Sequence, residues 1–146
     1  GYAIIPDPTL RAAYQRRLRM TEYSPGTPGI AATKAAYSPE GAAWVAELMT
    51  YLDGNRRLFD EGINAIPGLA SMPLQSTFLA WVDFAGTGMT QDEVMHRVRD
   101  VAKIGVNPGP AFGPGGEMFN RFNFAMRREL IEEAVARMQD AFRDLQ

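Results

Sequence analysis

Residues 105–125, Gly-Val-Asn-Pro-Gly-Pro-Ala-Phe-Gly-Pro-Gly-Gly-Glu-Met-Phe-Asn-Arg-Phe-Asn-Phe-Ala, constrain the fold more than any other stretch. In the first half Pro108, Pro110 and Pro114 fix their own φ and remove backbone donors. Gly109, Gly113, Gly115 and Gly116 open φ values closed to other residues, so neither a helix nor a regular strand is expected there. The second half alternates: Phe122 and Phe124 fall on one face, with Arg121, Asn123 and Ala125 on the other. A strand with one buried face has that pattern. One guanidinium is thereby delivered from a rigid element beside a stiff loop. Two readings fit it: a solvated arginine on an edge strand, or a planar fork that captures a carboxylate or phosphate.

The rest of the chain narrows the class. Its 146 residues suffice for one ordinary core, and 46% hydrophobic against 22% charged residues predicts a globular protein. A net charge of −2 gives no case for nucleic acid or an anionic membrane as partner. No apolar run reaches the length of a membrane span. With no cysteine and one histidine, neither a disulfide scaffold nor a His/Cys metal site is expected, which fits a cytoplasmic enzyme. The chain opens without an initiator Met on Gly-Tyr-Ala-Ile-Ile-Pro, read as a buried strand at residues 2–5, so a piece of a longer chain is expected.

Taken in order, Asp7-Pro8 predicts a helix start, and Leu10, Tyr14 and Leu18 give that helix an apolar stripe opposite Arg11, Arg16, Arg17 and Arg19. Residues 23–29 read as a turn and 30–37 as a short helix. Ser38-Pro39-Glu40 opens a long helix whose stripe runs Trp44, Leu48, Tyr51, Leu52, Phe59, Ile63, with Gly54 a candidate bend. Residues 77–84 read as a strand. Thr90-Gln91-Asp92-Glu93 is a capping box before a helix carrying Val94, Val98 and Val101. Ile131, Val135, Met138, Phe142 and Leu145 mark a last helix from residue 129 to about 145.

Residues 105–117, followed by Arg-Phe-Asn-Phe-Ala, resemble the C-terminal signature of class I/II aminotransferase-fold enzymes, above all the MalY/PatB-type branch of pyridoxal-phosphate cystathionine β-lyases and C–S lyases. Residues 77–83 resemble the same family's Thr-Tyr-Leu-Ala-Trp-Leu-Asp strand. The sequence departs from it at Ser76, where relatives have Gly, and at Arg127, where Pro is common. The resemblance implies an α/β, pyridoxal-phosphate-dependent transferase-like fold. Residues 1–48 would finish the large domain, and 49–146 would form the small C-terminal domain, a small sheet packed by helices. It implies that Arg121 grips the substrate's α-carboxylate. By position, Asn107, which starts the rigid loop, is a candidate to contact substrate or backbone, and Asn123, which shares a face with Arg121, is a further candidate. Asn123 is placed to hold the guanidinium or the loop.

Pyridoxal-phosphate chemistry needs a lysine amine. This chain has only Lys34, in a helical context, and Lys103, at a helix end; neither sits in a Schiff-base motif. The resemblance places the Schiff-base lysine upstream of Gly1, so this chain is expected to be inactive alone. The intact protein would be a homodimer that eliminates a thiol, pyruvate and ammonia from a cysteine S-conjugate such as cystathionine. Amino-acid transamination on the same scaffold is the alternative. A non-catalytic interaction module is the alternative of another class. Gly113-x-Gly115-Gly116 is no phosphate loop, since a strand follows it where a helix is required. His96 has no evident partner in sequence, and Asp92 with Glu93 reads as capping.

Overall fold

The computed structural model describes residues 2–21 and 24–145. Gly1, which opens the apolar run, and Tyr23, which opens the expected turn, lie outside them. Two units divide between Ala46 and Glu47.

The first unit holds helix α1 (Pro8–Met20), helix α2 (Thr27–Ala36) and the start of helix α3 (Pro39–Asn64). Asp7 caps α1 as its sequence predicts, its carboxylate accepting from Leu10 N at 2.7 Å. Ser38 Oγ caps α3 by accepting from Gly41 N at 3.0 Å. The strand expected at residues 2–5 does not form. A strand needs a partner, and no described strand pairs with this segment; Arg11 Nη1 instead donates to the carbonyls of Ile5 (3.0 Å) and Pro6 (3.2 Å). α2 begins at Thr27, three residues before the expected start, because Pro28 suits a first turn. Neither α1 nor α2 buries a residue, so the stripe of Leu10 and Tyr14 is exposed, as is Trp44 on α3.

The second unit is built on a four-stranded antiparallel sheet: β1 (Ala70–Ser71), β2 (Leu79–Asp83), β3 (Asn107–Pro108) and β4 (Phe119–Asn123), in the order β1-β2-β4-β3. Alternation decides the faces. Ala80 and Val82 on β2, with Asn120 and Phe122 on β4, are buried. Phe59 of α3 packs on Phe122 with ring centroids 5.4 Å apart, and Phe84 packs on Phe142 at 5.8 Å. Helix α5 (Arg128–Ala141) adds Ile131 and Met138 to this core. Phe142 joins them from just beyond the helix end.

Three local expectations are corrected. α3 runs unbroken through Gly54, whose missing Cβ leaves room for the Arg128 guanidinium. β2 is shorter than residues 77–84, because Thr77 sits at φ 68°, a left-handed turn value that a ladder excludes. The helix after Thr90 starts as α4 (Gln91–Met95) and continues as a π-helix, His96–Val101, closed by Ala102 N donating to Arg97 O at 2.8 Å. The wider turn changes the phase, so Val94, Val98 and Ala102 are buried while Val101 is exposed.

Within the second unit, one buried amide ties α3 to the end of β4 and the start of α5. Asn55 on α3 is fully enclosed; its Nδ2 donates to Phe124 O (3.1 Å) and Met126 O (2.8 Å), and its Oδ1 accepts from Arg128 Nε (3.1 Å). Asn55→Leu keeps the branching of the side chain, though not its volume, and removes all three bonds. It should cost about 2–5 kcal/mol of stability through the polar groups left unpaired, read as a fall in urea midpoint at constant m-value. An unchanged midpoint would mean that the three bonds add nothing to stability.

Candidate functional site

The site starts from backbone packing. Gly109 and Gly116 touch back to back: a Cβ on either would overlap the other's carbonyl. That contact closes the Pro/Gly loop onto itself, with a 3-10 turn at Gly109–Phe112 and positive φ at Gly113 and Gly115. The Glu117 carboxylate accepts from Gly115 N at 3.1 Å, and Phe119 N donates to Gly116 O at 3.0 Å, leading the chain into β4. The loop was expected to exclude a regular strand, yet Asn107–Pro108 pairs with β4 as a two-residue edge, a place that tolerates proline.

The register follows. Asn107 lies opposite Arg121 on one side of β4, and Trp81 of β2 lies opposite it on the other. Arg121 Nη2 donates to Asn107 Oδ1 at 3.0 Å. Its Cζ stands 4.6 Å over the Phe112 ring, within cation–π range. Phe112 meets Trp81 edge-on at 5.3 Å and 85°, and Trp81 stacks on Phe119 at 5.4 Å and 11°. Arg121 Nε is enclosed with no hydrogen-bond partner among the described residues. The arrangement is a guanidinium fixed in plane and position, which is what two-point recognition of a carboxylate requires.

Of the three predicted site residues, Arg121 and Asn107 are brought together and Asn123 is not. The expectation that Asn123 holds the guanidinium fails because its Oδ1 turns back to accept from Ala125 N at 2.8 Å, a local bond that its side chain reaches first. Phe112 and Trp81 were missed. An aromatic in a loop otherwise made of Gly and Pro is a usable signal for the first; the second depends on strand register.

The other candidates separate from this cluster. Lys34 is exposed on α2. Lys103, two residues past the π-helix, sits at φ 58° and lines a cavity of about 260 Å³ with Phe59, Phe122 and Ile131. His96, without an evident partner in the sequence, has one in Asp100, at 3.2 Å on the next turn. That contact is the main cause holding the Asp100 carboxyl below its ordinary value. The capping box is half made: Thr90 Oγ1 accepts from Glu93 N, but the Glu93 carboxylate turns to Arg97 at 2.8 Å. Ser76 lines a separate cavity of about 200 Å³ with Thr77, Asp53 and Arg56. Arg56 is already tied to Asp53 and Asp60. Among the described residues no His/Cys/Asp/Glu group is placed to hold a metal, and no helix is long and apolar enough to cross a membrane.

The Glu117 carboxyl lies below its ordinary value of 4.5, first through its own backbone N–H and then through that of Gly115. A depressed value stabilises the loop above the unfolded group's pKa, and the contribution is lost as pH falls through the folded one. The Gly115 amide resonance should therefore titrate with a midpoint below 4.5, and Glu117→Gln should abolish that titration. A Gly115 amide insensitive to Glu117 would remove the carboxylate from the loop's construction.

No family model matches the chain. Cystathionine beta-lyase PatB of Bacillus subtilis is 30% identical over 141 residues, covering 94% of this chain and 36% of PatB. Protein MalY of Escherichia coli is 31% identical over 146 residues, covering 98% of this chain and 37% of MalY. Among solved structures, cystalysin from Treponema denticola, which contains pyridoxal 5'-phosphate, superposes with a TM-score of 0.85 at 27% identity. That match covers 98% of this chain and 36% of cystalysin. The chain thus spans a little over a third of the length of these relatives.

Proposed function

We propose, from the premise that this chain belongs to the aminotransferase-fold family of pyridoxal-phosphate enzymes in its MalY/PatB-type branch, that it supplies the carboxylate-holding arm of a cystathionine β-lyase-like C–S lyase. The observation that carries this reading is the Arg121 guanidinium, bonded by Asn107 and seated on Phe112. In this assignment residues 1–48 belong to the large domain and 49–146 form the small one. The intact protein is a cytoplasmic homodimer that acts on an amino acid bearing a sulfur leaving group, releasing a thiol, pyruvate and ammonia.

Pyridoxal phosphate, when bound, supplies the electron sink for a carbanion at the substrate's Cα. The described residues do not build its cradle. Lys34 is exposed on a helix, and Lys103 opens on a cavity lined by Phe59, Phe122 and Ile131 together with Asn123, Glu133 and Arg137. The other cation of that lining, the Arg137 guanidinium, is already paired with Glu133. The chain's own contribution is therefore binding and orientation. A carboxylate held at both oxygens cannot turn freely about its Cα–C bond, so the other bonds at Cα are directed before any of them breaks. Asn107 serves the same end by fixing the guanidinium, and Asn123 by fixing the turn that follows β4.

In the full-length protein, Arg121→Ala should lower kcat/KM for cystathionine roughly ten- to hundred-fold, the worth of hydrogen bonds to a charged group. Pyruvate and ammonia should be the products; a keto acid with aminated cofactor would identify a transaminase instead. Borohydride reduction of this chain mixed with pyridoxal phosphate should label Lys34 and Lys103 only weakly. Stoichiometric labelling of either would give the chain a cofactor site of its own and overturn this assignment.

A further inference from the structure

We infer that Phe112, an exposed ring in the Pro/Gly loop, is a positioning residue for carboxylate capture: with Asn107 it clamps the Arg121 guanidinium so that only its Nη1/Nη2 end meets the ligand. This rests on the carboxylate reading of Arg121 and adds to it a mechanism and a residue.

A guanidinium has two edges that can meet a carboxylate bidentately, the Nε/Nη2 edge and the Nη1/Nη2 end. In this protein the first is closed. Nε is enclosed, so no ligand oxygen reaches it, and Nη2 is already engaged by Asn107 Oδ1 at 3.0 Å. Nη2 carries two hydrogens, and one remains for the end-on approach alongside Nη1. One face of the group is closed as well, because Phe112 lies 4.6 Å beneath Cζ.

The ring itself is held. Phe112 is about half exposed (51%), so the core does not fix it; Trp81 does, meeting it at 85° while stacked on Phe119 at 11°. Trp81 and Phe119 ride on β2 and β4, one strand on either side of a shared ladder, so the loop ring is referenced to the sheet. Arginine side chains carry several rotatable bonds, and ordering them on binding costs affinity. A ring below and an amide beside the group remove that freedom beforehand. The bond to Asn107 sets the rotation within the plane, and Phe112 sets the plane.

The test uses the full-length protein and two probes, L-alanine and L-alaninamide; the second keeps the amine and lacks the carboxylate. Phe112→Leu should weaken L-alanine binding roughly two- to thirty-fold, the range of a cation–π contact, and leave L-alaninamide unchanged. Phe112→Tyr should retain the L-alanine affinity. In an Arg121→Ala background Phe112→Leu should add no further loss. If Arg121→Ala weakens L-alanine but Phe112→Leu does not, the clamp is wrong and the carboxylate reading stands. Equal weakening of both probes by Phe112→Leu would also overturn the clamp. L-Alanine binding that survives Arg121→Ala would instead overturn the carboxylate reading beneath it.

Discussion

Three hydrogen bonds from one amide set the frame on which the second unit depends. Asn55 projects from α3 into the core and meets the carbonyls of Phe124 and Met126, where the chain leaves β4, and the Nε of Arg128, where α5 starts. A buried amide is costly unless satisfied, so its position is specified as sharply as its bonds. Arg128 extends the same joint: its backbone N–H donates to the Tyr51 hydroxyl at 2.8 Å, and its guanidinium lies 5.0 Å over the Tyr51 ring. Apolar contacts alone would let α3 slide against the sheet at small cost, since the hydrophobic effect has no direction. The amide adds that direction. Because it grips the residues just after β4, it also fixes the strand that carries Arg121.

A second tie closes the far side of the core. Arg97, on the π-helix, bonds Glu93 at 2.8 Å, the Ala141 carbonyl at 3.1 Å and the Asp144 carboxylate, and stacks over Phe142 at 5.5 Å. Its proximity is the leading cause of the lowered pKa of Asp144. Two arginines, Arg97 and Arg128, thus fasten the two ends of α5, while a third, Arg121, is held with its end left open. The difference lies in what surrounds each group. All three lie over an aromatic ring, but carboxylates and a carbonyl bond the first, carbonyl and amide oxygens the second, and one amide oxygen the third.

The sequence made legible whatever is local or periodic. Asp7-Pro8 and Ser38-Pro39 marked helix starts through side-chain and proline chemistry confined to one turn. Phe122 and Phe124 marked the buried face of β4 because a period of two needs no partner to be seen. Arg121 was legible by the same alternation. Asn107 was named, but its bond to Arg121 follows from a two-residue strand whose register no pattern records. The strand at residues 2–5 was read from composition, which cannot say whether a partner strand exists. Asn55 was invisible: within a helical stripe of Leu52, Phe59 and Ile63 its amide reads as an interruption, and only the carbonyls seventy residues away explain it. The π-turn at His96 escaped for another reason, since one added residue per turn changes phase without any proline or glycine to announce it.

The contact between Gly109 and Gly116 has a bearing on how this sequence can vary. Two backbones in contact, with no side chain between them, set the distance across the loop by atomic radii and not by packing that could be readjusted. Every residue between them is therefore counted. An insertion or deletion there would shift Phe112 relative to Arg121 or break the glycine contact. A Cβ added at Gly88 or Gly105 would meet nothing within 4 Å, and extra length there could loop outward. Length variation among sequences built this way should concentrate at those open turns and be absent from residues 109–116. The spacing of the motif would then record a physical measurement, the span of one loop closed on itself.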